Sequence, residues 1–163
     1  VHTKRAEYDA VLTGGNTVRL DNPSLTIRKP DRPVSPLKEQ PWRIILTHDA
    51  SSIPADSICL TDEFRDRTLV VENVFNYLEL LKKLYNNKKI GTILLEAGGC
   101  LVREFLKAGL VDEWVGFYAP IIIGGGADGV APGPFLEHEA HLEQPVVNIF
   151  GDDVCIRGDI CYR

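Results

Sequence analysis

Ile93-Leu94-Leu95-Glu96-Ala97-Gly98-Gly99 is the stretch whose reading decides the fold. A short apolar run that stops at paired glycines reads as a buried strand. The apolar spacing from Leu101 to Ala108 reads as a helix, with Gly109 placed to close it. A strand that ends in glycine and restarts as a helix presents free backbone N–H groups at one spot, which suits a phosphate. An earlier run, Ala10-Val11-Leu12-Thr13-Gly14-Gly15, also ends in paired glycines and precedes a polar cluster from Thr17 to Arg28.

Working outward, Asp9–Gly14, Arg43–Thr47, Thr68–Glu72 and Thr92–Glu96 read as strands, and residues 1–8 as the tail of a helix. Val74, Leu78, Leu81 and Tyr85 follow helical spacing, with Asn73 as the expected N-cap. Pro30, Pro33, Pro36 and Pro41 mark residues 29–42 as an exposed loop. Glu113–Ala119, Ile121–Ile123, Val146–Phe150 and Val154–Arg157 read as further strands. Strands alternating with helices predict parallel neighbours, and the all-strand C-terminus predicts antiparallel additions. The expected product is an α/β domain over residues 1–163: a mixed, mostly parallel sheet with helices on both faces.

Composition narrows the function. The chain has 163 residues, 44% hydrophobic and 25% charged, as in ordinary globular domains. No apolar run approaches the roughly 18 residues of a membrane span. A net charge of −5 argues against a nucleic-acid surface, so an anionic ligand needs local arginines and helix ends. Cys59, Cys100, Cys155 and Cys161 form no C-x-x-C pair and read as free thiols of a cytoplasmic protein. The chain starts at Val1 and holds no methionine, which suggests part of a longer protein.

Several motifs fail on inspection. Gly124–Gly129 satisfies G-x-G-x-x-G, but Pro132 and Pro134 oppose the helix that a dinucleotide fingerprint needs. His141-Leu142-Glu143 matches half of a zinc deaminase signature whose P-C-x-x-C half is missing, and His138 with His141 reads as solvated loop, so no metal is expected. The Thr17–Arg28 cluster carries more. Asp21, Thr26 and Arg28 lie beyond a strand end, where open α/β sheets bind ligands, although a solvated loop with a capping Asp fits the residues too.

Three stretches together carry a resemblance: Asp9–Arg28 (D-A-V-L-T-G-G-N-T-V-R-L-D-N-P-S-L-T-I-R), Leu94–Glu113 (L-L-E-A-G-G-C-L-V-R-E-F-L-K-A-G-L-V-D-E) and Ala119–Ala127 (A-P-I-I-I-G-G-G-A). In that order they resemble the reductase domain of the riboflavin pathway, the C-terminal half of a bifunctional deaminase–reductase with a dihydrofolate-reductase-like fold. The resemblance implies NADPH-dependent reduction of 5-amino-6-(5-phosphoribosylamino)uracil, by hydride transfer to C1 of the ring-opened sugar. It also implies a homodimer and a further strand, which either precedes Val1, as a deaminase half would, or is lacking together with part of the substrate pocket. Trp114 and Phe117 are the candidate self-association residues.

Carried over residue by residue, the resemblance places the cofactor against Gly98, Gly99, Cys100, Leu101, Val102, Arg103 and Glu104, with Thr17 and Asp21 as further contacts. Arg5, Leu25, Arg28 and Glu96 match substrate positions, with Arg5 and Arg28 as partners for the ribose phosphate. Asp21 is the candidate proton donor, or else it orients the nicotinamide amide. The loop Thr47–Ser52, with His48, is the candidate for the 2′-phosphate of NADPH; the family often has serine near His48, which leaves NADH as a competitor. A non-catalytic nucleotide-binding module, and a related reductase of another pterin or pyrimidine, are the alternative functions.

Overall fold

The computed structural model describes residues 2–28, 39–122, 131–132 and 139–163. In chain order they form α1 (His2–Arg5), β1 (Ala10–Gly14), α2 (Gly15–Asp21), β2 (Trp42–Thr47), α3 (Ile58–Thr61), β3 (Thr68–Glu72), α4 (Tyr77–Lys88), β4 (Ile93–Leu95), α5 (Gly99–Lys107), β5 (Glu113–Tyr118), β6 (Ala140–Phe150) and β7 (Asp153–Tyr162). They fall into two compact units, Val1–Gly98 and Gly99–Arg163.

The first unit is a parallel sheet in the order β3-β2-β1-β4. Its central strands read Ala-Val-Leu-Thr-Gly and Trp-Arg-Ile-Ile-Leu-Thr, apolar on both faces, as a parallel sheet covered by helices requires. Register pairs Leu12 with Ile44 and with Leu95. Side chains alternate across the sheet, so Ile45 and Trp42 point to opposite faces. On the Ile45 face, Val18 of α2 and Cys59 of α3 pack with Ile53. On the Trp42 face, Lys88 at the end of α4 lies 4.5 Å from the ring centroid. The Asp9 carboxylate receives the Gly91 and Thr92 amides at 2.9 and 3.0 Å, fixing the entry of β1 beside β4.

This topology produces a crevice. From β1 the chain steps outward to β2 and β3, then returns through α4 to β4 on the other side of β1. Strand order therefore reverses between β1 and β4, the place where open α/β sheets take their ligands beyond the carboxyl ends of the strands. Both glycine-ended runs stop there, side by side.

The second unit begins with α5. Gly109, at φ +66°, donates to the Leu106 carbonyl, and Leu110 N to the Phe105 carbonyl, the two bonds of a Schellman closure. Three antiparallel strands follow in the order β5-β7-β6. Pro145, which has no N–H for a ladder, sits where the β6–β7 register shifts between Glu143 and Val146.

The α/β class, the parallel sheet flanked by helices and the antiparallel C-terminal strands agree with expectation. Four details differ. The strands make two sheets rather than one mixed sheet, because hydrogen-bond register assigns each strand to its sheet. The polar cluster after β1 opens with a helix, α2, which its seven residues were too few to signal by period. The N-cap of α4 is Asn76, whose side chain accepts from Glu79 N, while Asn73 stands outside at φ +51°. Ile121 and Ile122 lie in no strand. Ile123, Gly124–Gly129 and His138, and the loop reading over 29–38, fall outside the described residues.

Gly109→Ala places a Cβ in the left-handed region, so we expect a loss of about 1 kcal/mol, read as a lower urea midpoint at unchanged slope.

Candidate functional site

Two buried arginines hold the loop that follows α2. Arg5, on α1, directs Nε and an Nη onto the two carboxylate oxygens of Glu96 at 2.8 and 2.7 Å, and its other Nη onto the Thr26 carbonyl at 2.9 Å. Glu96 follows β4 directly, and its backbone N–H donates to Leu12 O of β1 at 2.9 Å. Arg43, on β2, forks onto the Asp62 carboxylate at 2.7 and 2.8 Å and reaches the Ser24 carbonyl at 3.0 Å. It is 1% exposed, and its Nε has no partner.

Between those two carbonyls sits Leu25, buried, at φ +55°. A left-handed conformation costs a branched, non-glycine residue about 1–2 kcal/mol. It persists because charge-assisted bonds hold the peptide groups on either side. Ser24 Oγ and Thr26 Oγ1, 3.1 Å apart, add a local link. Upstream, Asn22 caps α2 at φ +43° and its Oδ1 accepts from Ile58 N of α3 at 2.8 Å.

The four residues that the resemblance assigns to substrate all lie in the first unit, and the structure pairs two of them, Arg5 and Glu96. Buried Arg5 and half-buried Glu96 form an ion pair, so the Arg5 fork is already engaged by a carboxylate. Leu25 is buried, and Arg28 is exposed, its backbone N–H donating to His2 Nδ1 at 3.1 Å. Asp21, the last residue of α2, is exposed; Thr17, on the same helix, is half-buried. Sequence reasoning missed Arg43 and Asp62. The available signal was a lone arginine inside the apolar run Trp42–Leu46.

A phosphate turn fits the observed backbone. A Cβ built on Gly98 meets nothing within 4 Å, so that backbone faces open space. The first turn of α5 carries no acidic residue to occupy its amides. Gly99, Cys100, Leu101, Val102, Arg103 and Glu104 all lie on α5, with Cys100 exposed and Arg103 donating to Glu104 at 3.3 Å. The loop after β2 is differently built. Ala50 N donates to Glu72, and Ser51 N and Oγ donate to Asp49 Oδ1, so its amides are already engaged by carboxylates. The Ser51 bonds hold the Asp49 carboxyl below its usual range. His48 is exposed there, and Arg19 reaches Ser52 Oγ at 2.7 Å. His141 pairs with Glu139. Among the described residues no helix is long and apolar enough to cross a membrane.

Parallel strands, flanking helices and a switch-point crevice define a dihydrofolate-reductase-like α/β domain. Residues 1–156 match the RibD C-terminal domain family, and the chain belongs to it. The riboflavin biosynthesis protein RibD of Mycobacterium tuberculosis H37Rv is 34% identical over 125 residues, covering 77% of this chain and 34% of that protein. The 2,5-diamino-6-ribosylamino-4(3H)-pyrimidinone 5′-phosphate reductase of Aquifex aeolicus is 32% identical over 144 residues, covering 77% of this chain and 62% of that protein. Among solved structures, Acinetobacter baumannii RibD superposes with a TM-score of 0.83 at 25% identity, covering 98% of this chain and 49% of that one. The chain therefore spans between a third and two thirds of these relatives.

The Arg43 guanidinium beside Asp62 holds that carboxyl below its ordinary 3.8. A lowered folded value means that this stabilisation is present above the unfolded value, near 3.8, and is lost as pH falls through the lower folded one. Asp62→Ala strands the Arg43 charge and is expected to cost about 3 kcal/mol at neutral pH. Denaturant titrations of both proteins from neutral to strongly acidic pH should show the difference shrinking only below the ordinary carboxylate range.

Proposed function

We propose that this chain is the reductase part of a riboflavin-pathway enzyme, reducing 5-amino-6-(5-phosphoribosylamino)uracil to its ribitylamino counterpart with NADPH, in the cytoplasm. The observation that supports the reading is the ion pair of Arg5 with Glu96 beside the β1–β4 switch point, with Arg5 also holding the Thr26 carbonyl between Leu25 and Arg28. The reading takes residues 1–163 as one reductase domain with its partner half upstream.

NADPH would supply a hydride. Gly98 and the first-turn amides of α5 would take its diphosphate, worth up to about 2 kcal/mol at such a helix end. Val102, Arg103 and Glu104 of α5 are further candidate cofactor contacts, as are Thr17 and Asp21 of α2 by the resemblance. Arg28, exposed on its loop, takes the substrate phosphate, and the Arg5–Glu96 pair borders the ring. Asp21 holds the proton for the substrate nitrogen or orients the carboxamide. His48 and Arg19 are the side chains available to a 2′-phosphate, since the loop amides beside them are engaged.

The Aquifex relative's name favours a second substrate, the diaminopyrimidinone that keeps its amino group. Incubating the chain with NADPH and either phosphoribosylaminopyrimidine decides between them. Substrate-dependent loss of NADPH absorbance is expected; nucleotide binding without turnover would mean a non-catalytic module. Gly98→Ala should leave the unfolding midpoint unchanged and weaken NADPH by about tenfold or more, as measured by calorimetric titration.

We also propose a homodimer. On the antiparallel sheet, Phe117 of β5 and Phe150 of β6 lie exposed on one face, with ring centroids 6.3 Å apart, and Val147 and Ile149 of β6 lie exposed on the other. A second copy would cover them. Ile149→Glu should shift the sedimentation coefficient to that of a monomer.

A further inference from the structure

We infer that Arg43 and Asp62 are positioning residues for the substrate loop, acting through the Ser24 carbonyl and the Leu25 backbone without touching substrate. The inference rests on the reductase reading above.

The pointer is Leu25. Among the described residues, five that are not glycine have positive φ: Asn22, Leu25, Asn73, Lys89 and Gln144. Asn22 and Lys89 close helices, where a left-handed residue is ordinary. Leu25 closes nothing, has no polar side chain to satisfy its own backbone, and is 2% exposed. Strain of this kind, held by its surroundings, concentrates where a loop must present residues in one particular way.

Arg43 belongs to the surroundings that hold it. Its neighbours along β2 are Trp42 and Ile44–Leu46, and an apolar side chain would suit that strand better if stability were the only demand. A buried guanidinium supplies direction instead. It forks onto Asp62 and aims one N–H at Ser24 O. Asp62 is itself fixed: its N–H donates to Ile58 O at 2.9 Å, and its Oδ1 accepts from Phe64 N at 3.1 Å. The same short helix receives Asn22 Oδ1 at Ile58 N. The loop is therefore tied to α3 at Asn22 and Ser24, immediately before Leu25, while Arg5 holds Thr26 immediately after it. Turning the chain at Leu25 sets the direction of Ile27 and of Arg28, whose side chain is exposed. On this account α3 and Asp62 are a post against which the substrate loop is braced.

Arg43→Lys and Asn22→Gly test the brace in the full chain. Lysine keeps the charge but cannot fork onto Asp62 and reach Ser24 O together. Glycine keeps the left-handed cap of α2 and removes Oδ1. Circular dichroism establishes that each variant is folded. We expect the KM for the phosphoribosylaminopyrimidine to rise about tenfold or more, with NADPH affinity held within about twofold. Backbone amide resonances of residues 22–28 should shift or broaden while those of β1 and β4 stay in place. A merely structural pair would lower the melting temperature and leave this split absent. Unchanged KM in folded variants, or equal loss of substrate and NADPH affinity, overturns the inference while native turnover stands. Absence of NADPH-dependent turnover in the native chain overturns the reductase reading, and this inference falls with it.

Discussion

Two guanidinium groups, Arg5 and Arg43, each neutralised by a carboxylate and each lending a further N–H to a backbone carbonyl, hold the residues between Asn22 and Arg28 in one conformation. The cost of burying these charges is recovered in direction rather than in net stability. A neutral core could not aim charged donors at Ser24 O and Thr26 O, the bonds that bracket Leu25 most closely. The position of the exposed Arg28 follows from that constraint.

The constraint works because of the sheet. Arg43 rises from a central strand, Glu96 leaves β4 with its backbone still bonded to β1, and Arg5 precedes β1 by a short turn. Reversal of strand order brings the ends of β1 and β4 together. At Gly15 the approach is close: a Cβ would come within 2.9 Å of Thr47 Oγ1, so α2 packs tightly against the end of β2. The same reversal leaves Gly98 open at the neighbouring strand end. Packing closes one glycine turn and leaves the other accessible.

Much of this was legible from particular residues. The apolar runs marked β1–β4 because a doubly covered parallel strand needs no polar face. Gly109 marked the end of α5 because few residues tolerate positive φ there. Three motifs in order marked the family. Other features were hidden for physical reasons. Asn73 and Asn76 both suit an N-cap by type, and only the chain path selects Asn76. The seven-residue α2 is too short to display a period, and its polar residues resemble a loop.

Local chemistry written in the sequence determined which segments could be strands, where glycine was required and which family the motifs belong to, because these depend on neighbours within a turn or a pleat. The tertiary structure alone decided that Arg5 faces Glu96, that Arg43 faces Asp62, and that both converge on one loop. Those partners lie 91 and 19 residues apart: the reversal of strand order brings Glu96 to Arg5, and the return of the chain through α3 brings Asp62 to Arg43, meetings that no local propensity encodes.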